Sequence, residues 1–133
     1  MKLVLKRSQR ESGMLSKNVV FMLNARADLT EEEKHNVQKY KLGGEVIYNS
    51  EASRAHAEKA GDGGLVSGLA HLAMHRLALN ITINSLTQGQ TVECKSLEEV
   101  IGAEEAVRTA CEQLKAFLDI ASTFDGRQEV VEF

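Results

Sequence analysis

His71 and His75 are the first residues whose type and spacing could do chemistry. They stand four apart in HLAMH, inside a stretch (65–74) whose leucines at 65, 69 and 72 predict a short helix. Imidazoles four apart project from the same side of a helix, which is the spacing two zinc ligands use. The motif lacks the glutamate that follows the first histidine in metalloprotease helices. Chain order supplies no third ligand, so His35, His56 or Cys94 would have to be brought in by the fold. The same pair serves equally as polar residues on a half-buried helix, and the sequence requires no cofactor.

Two further patterns are weaker. GDGGLVSG (61–68) precedes that helix, where backbone N–H groups can hold a phosphate, but it has neither the lysine nor the hydroxyl of a P-loop. Cys94 and Cys111 fall in an expected strand and on the apolar side of an expected helix. Both are read as small buried hydrophobes, because a thiol in apolar surroundings is held protonated and inert. The carboxylate pairs Glu98/Glu99 and Glu104/Glu105 suit helix starts, which favour negative charge. No catalytic residue is assigned.

Charge is spread unevenly. Residues 1–41 carry +4 and residues 42–133 carry −7, within a net charge of −3. Along the first expected strand Lys2, Lys6 and Arg10 share one side, and with Lys17 they could track the phosphates of a nucleic acid. Against this stand the acidity of the whole and the lack of aromatics near them for base stacking. Lysines on an edge strand also serve to keep other sheets from pairing with it. Apolar residues in unexpected places form another group. Met14 and Leu15 sit at the tip of a hairpin, and Val131 and Phe133 share one side of a short run, QEVVEF. Surfaces of that kind suit a partner chain or a second copy.

The elements that must position these residues follow from periodicity. Ser96–Phe124 has the clearest pattern: Leu97, Val100, Ile101, Val107, Cys111, Leu114, Leu118 and Ala121 recur three or four apart and predict a helix over about 97–124. Ser96 with Glu99 reads as its capping box. On a straight helix Glu104 falls on that apolar stripe, and Gly102 marks a place for a kink. Residues 2–7 and 18–25 read as two strands of a hairpin with a long tip. Thr30 with Glu33 opens a helix that Gly43-Gly44 is expected to end. EVIYN (45–49) is a third strand, and 50–64 is expected to be a mobile loop. Strict alternation at Leu77, Leu79, Ile81 and Ile83, then TVECK after Gln88-Gly89, predicts a second hairpin over 77–95. QEVVEF is a last strand.

The order β-β-α-β-α-β-β-α-β implies an α+β fold: one globular domain (1–133) with a largely antiparallel sheet and the long helix across one side. Length of 133 residues, 43% hydrophobic and 26% charged, is ordinary for a soluble globular chain. No apolar run approaches the 18 residues a membrane span needs. The N-terminal stretch has no secretory pattern, so the cytoplasm is the expected compartment. Taken together, the sequence favours a self-associating module, a dimer first, or one that binds another protein, over a catalyst. The alternatives are a nucleic-acid-associated accessory protein using the basic hairpin, and a protein that binds a metal or small ligand.

Overall fold

The computed structural model describes residues 1–13, 18–50 and 79–133. In chain order the elements are β1 (Lys2–Ser12), β2 (Asn18–Asp28), α1 (Glu31–Lys39), β3 (Val46–Asn49), β4 (Asn80–Thr82), α2 (Ile83–Gln88), β5 (Gln90–Cys94) and α3 (Leu97–Ala121). The architecture is α+β, an antiparallel sheet in the order β1-β2-β5, a small second sheet of β3 and β4, and the long helix packed on the sheet.

Alternation in β1 and β2 sets the first layer. They pair antiparallel from Lys2↔Asp28 to Ser12↔Asn18, so Leu3 and Leu5 lie opposite Ala27 and Ala25 on the inner side. Leu23, Ala25 and Ala27 are buried there. β5 joins the other edge of β2 with Leu23 opposite Val92 and Phe21 opposite Cys94. β2 is therefore the central strand, apolar toward the core and polar outward, as an antiparallel sheet covered on one side requires.

α1 begins as expected. The Thr30 hydroxyl accepts from Glu33 N at 3.2 Å and the Glu33 carboxylate accepts from Thr30 N at 2.9 Å. Its end differs from expectation, because the left-handed residue is Lys41 (φ 53°) and not a glycine. Leu42 N reaches back to Val37 O at 2.9 Å and Lys41 N to Gln38 O at 3.2 Å, the paired bonds that close a helix through a left-handed residue. A lysine there bears strain of roughly 1 kcal/mol. It is held by Leu42 and Val37, both packed against the core. Gly43 is used otherwise: a Cβ on it would lie 2.5 Å from the Asn84 side chain, at the point where Asn84 N donates to Gly43 O.

The expected hairpin over 77–95 does not form. β4 pairs with β3 in the second sheet, β5 pairs with β2 in the first, and α2 separates them. The physical reason is at Thr82 and Ser85. Ser85 N donates to the Thr82 hydroxyl at 3.1 Å, and Thr82 N donates to the Ser85 hydroxyl at 2.9 Å. This reciprocal cap starts a helix whose Ile83 and Leu86, three apart, are both fully buried. The last expected strand is also absent, since residues 125–133 adopt neither helix nor strand. Among the described residues no strand is in register with them, and a strand without a partner leaves its backbone to water.

α3 runs unbroken through Gly102. Ser96 caps it by accepting from Glu99 N at 3.2 Å, while the Glu99 carboxylate takes Lys95 N at 2.6 Å, one residue beyond the expected box. Its buried side is rotated from the stripe that large residues suggest. Gly102, Ala103, Ala106, Val107, Ala110, Leu114, Leu118 and Ala121 face the core, while Leu97 and Ile101 are 63% and 48% exposed. Small residues toward the sheet let the helix backbone approach closely, which excludes the bulkier pair. Glu104 consequently sits at the margin, where it accepts from Arg7 Nε of β1.

Leu114 is fully buried against this core, whereas Leu97 is not. Leu114→Ala is expected to cost about 2–5 kcal/mol, and Leu97→Ala less than about 0.5 kcal/mol. Urea unfolding of the two variants distinguishes this arrangement from one in which the large-residue stripe faces inward, where both losses would be large.

Candidate functional site

The outer side of the β1-β2-β5 sheet carries an array of charged side chains. Alternation brings Lys2, Lys6 and Arg10 onto it, as the sequence reading expects, and all three are exposed. β2 contributes Arg26 opposite Val4, a cation that the first-strand pattern alone does not show but the hairpin register does. The cations are not left bare. Arg10 Nη2 lies 3.0 Å from the Glu93 carboxylate of β5. Arg26 holds Asp28 through Nε at 2.6 Å and Nη2 at 3.3 Å, and the Asp28 pKa is lowered chiefly by that hydrogen bonding. Lys2 stands opposite Asp28 in the ladder. The side is thus a lattice of alternating sign in which Lys6 has no carboxylate partner among the described residues.

Other candidates fall elsewhere. His71, His75 and His56, the glycine cluster at 61–68, the hairpin tip with Met14 and Leu15, Lys17, and the expected loop from residue 51 onward lie outside the described residues. His35 is exposed on α1. Among the described residues there is no group of histidine, cysteine, aspartate and glutamate side chains that could hold a metal ion. Cys94 is fully buried and Cys111 half-buried, each a free thiol. Burial, reinforced by the Glu99 carboxylate, pushes the Cys94 thiol up to about 11. Burial also raises Cys111. Neither is a nucleophile at neutral pH.

Residues 122–133 form the second notable surface. Ser122–Phe124 close the helix with backbone bonds to Leu118, Ile120 and Ala121. Arg127 then folds back. It chelates Asp125 through Nε and Nη2 and reaches Ser122 O at 3.4 Å, supplying positive charge to a helix end with no basic residue in its last turn. The hydrogen bonds from Arg127 hold the Asp125 carboxyl down to about 2. Beyond this turn, Val130 and Val131 are 87% and 61% exposed and Phe133 fully so. The sequence singles out Val131 and Phe133; Val130 joins them because no sheet takes up the alternation.

A cleft of about 410 Å³ lies between the end of β2, α1 and Thr87. Its charged groups are already engaged, Asp28 by Arg26 and Lys34 by Glu31 at 3.3 Å. It presents no convergent set of polar groups for a ligand.

No protein-family model, curated protein or solved structure matches the chain.

The thiols give a direct check of this chemistry. With Ellman's reagent at pH 8, Cys94 is expected to stay unmodified as long as the chain is folded, and to react at once in guanidinium. Because the folded thiol titrates near 11 and an unfolded one near 9, its contribution to stability is full below about pH 9. That contribution is lost as pH rises toward 11. Rapid modification of Cys94 in the native protein would show that the β5–α3 contact opens readily.

Proposed function

We propose that this chain is a self-associating module without catalytic chemistry of its own, and that residues 128–133 are its adhesive element. One observation carries the reading: Val130, Val131 and Phe133 are exposed together, next to each other, while Leu23 of β2, Ile83 and Leu86 of α2 and Val92 of β5 are buried. Water-exposed apolar side chains grouped in one short segment are a surface that gains from being covered. Alternation in the segment gives it the form of a strand waiting for a sheet, and an added strand is a recurring way of joining chains. A homodimer satisfies the need with one kind of chain.

The expected solution mass at micromolar concentration is at least twice 14.6 kDa. Deleting residues 129–133, or combining Val131→Ser with Phe133→Ser, lowers it toward that of one chain. Light scattering that gives a single-chain mass up to about 100 μM, a concentration giving weak pairs of roughly 5–6 kcal/mol a chance to form, removes self-association.

A second reading, nucleic-acid binding by the outer side of the sheet, is supported by the line of Lys2, Lys6 and Arg10 with Arg26 beside it. Asp28 and Glu93 within the same lattice weaken it. On this reading a fluorescence titration at low salt shows binding of DNA or RNA that weakens as salt rises. It weakens again with Lys2, Lys6 and Arg10 changed to Ala. Absence of binding at tens of micromolar protein removes it.

A further inference from the structure

We infer that the exposed segment docks as an added antiparallel strand on the free edge of β1 of a second copy, in one defined register. This rests on the self-association reading and specifies its acceptor.

β1 is an edge. Among the described residues it pairs with β2 alone, over eleven residues, so alternate N–H and C=O groups along it point away from the sheet. β5 is the other edge, but it spans only Gln90–Cys94 and carries Glu93. The segment to be placed, Gln128–Phe133, carries Glu129 and Glu132. β5 has no cation to meet these two carboxylates, its one charge being Glu93, already paired with Arg10, whereas β1 bears Lys2, Lys6, Arg7 and Arg10 against the single Glu11. Charge therefore selects the edge before any apolar contact is made.

Side-chain alternation then selects the register. With Phe133 opposite Leu3 and Val131 opposite Leu5, the apolar residues extend the inner layer beyond β1, where Leu3 and Leu5 already pack on the core. The same register puts Glu129 opposite Arg7, whose Nε is committed to Glu104 while its two Nη groups keep their donors. On the outer side Glu132 falls opposite Val4, diagonal to both Lys2 and Lys6. Lys6, which lacks a carboxylate partner among the described residues, gains one. Moving the register by one residue would put Val131 and Phe133 among the lysines.

The donor is a second copy because the chain's own segment is held otherwise: Arg127 folds back on Asp125 and Ser122 O, and residues 125–133 form no strand. In its own chain Glu129 would have to lie beside Arg7, and Arg7 holds Glu104. α3 carries Ala121 about 25 Å from Glu104 at 1.5 Å per residue. Residues 122–124 are spent in the closing turn, and the five steps from Phe124 to Glu129 span about 17 Å when fully extended. Pairing within the chain would need that stretch drawn out straight and reversed in direction, which the Asp125–Arg127 turn opposes. Two copies related by a two-fold axis can each give the segment to the other's β1, so the arrangement closes at a dimer.

The test uses the exposed outer positions Lys6 and Val130, which face each other in this register. Protein carrying Lys6→Cys and protein carrying Val130→Cys are mixed under mild oxidation. The mixture is expected to give a disulfide-linked dimer, and a mixture of Arg10→Cys with Val130→Cys, four residues out of register, to give none. Glu132→Lys is expected to weaken dimerisation roughly tenfold, and Lys2→Glu with Lys6→Glu to restore it. A dimer by light scattering that fails to cross-link at 6/130 and ignores Glu132→Lys overturns this docking while leaving self-association standing. Recovery of a linked single chain from the double variant Lys6→Cys/Val130→Cys overturns the second copy as acceptor. A single-chain mass under all conditions overturns both readings.

Discussion

The close approach of α3 to the inner side of the sheet is the constraint on which the rest depends. Gly102, Ala103, Ala106 and Ala110 are buried and present almost no side-chain bulk to the core, and α3 brings Cα atoms within 8 Å of β2, β3 and β5. The room that remains is filled from the other partners: Leu23 and Val92 from the sheet, Ile83 and Leu86 from α2, and Leu114 and Leu118 from the second half of the helix. Ala→larger changes in such a seam push apart elements that are fixed elsewhere, so overpacking is destabilising there, by about 1–3 kcal/mol. The seam also turns Leu97 and Ile101 outward and carries Glu104 to the margin beside Arg7. An ion pair across the β1 edge is thus a consequence of packing choices on the opposite side of the helix.

How much of this was readable in the chain depends on whether the deciding interaction is local. Thr30 with Glu33 and Ser96 with Glu99 are caps made within four residues, and both helices start where those residues stand. The β1–β2 hairpin is a neighbour pairing and follows from two alternating stretches. The fold class and the long helix come from the same kind of signal. Strand partners farther apart are decided otherwise: β5 pairs with β2 some seventy positions away in the chain, and no pattern within either strand names the other. The 77–95 hairpin is the instructive difference. Ile81 and Ile83 fit an alternating strand, but Ile83 and Leu86 also fit a helix turn, and the Thr82–Ser85 cap decides between them. A hydroxyl pair without an acidic residue is a quiet signal beside four aliphatic residues in alternation.

The surface candidates divide along the same line. Lys2, Lys6 and Arg10 share a side because a strand has a period of two, and this needs no tertiary information. That their field is offset by Asp28 and Glu93 needs the sheet order, since Glu93 arrives from β5. Burial of Cys94 follows from an apolar alternation and is legible; its neighbour Glu99 is not, because the carboxylate reaches it only through the turn that joins β5 to α3. Arg127 is a further case. Its role at the end of α3 depends on a turn at Asp125-Gly126, where Gly126 has φ 89° and lets the chain reverse.

Edge protection and edge use are two outcomes of the same charges. A long exposed strand is a hazard because its backbone accepts any other strand, and lysines are the common defence. On β1 the defence is asymmetric. A second β1 brings more cations against it, and neutral strands gain nothing for desolvating Lys2, Lys6 and Arg10. A strand that carries carboxylates at the right alternation meets no such barrier and neutralises the row instead. Residues 128–133 have that character, with Glu129 on the same side as Val131 and Phe133, and Glu132 on the other. A sheet edge guarded by lysines is therefore selective without being closed, and the selectivity is set by which side of the added strand its glutamates occupy.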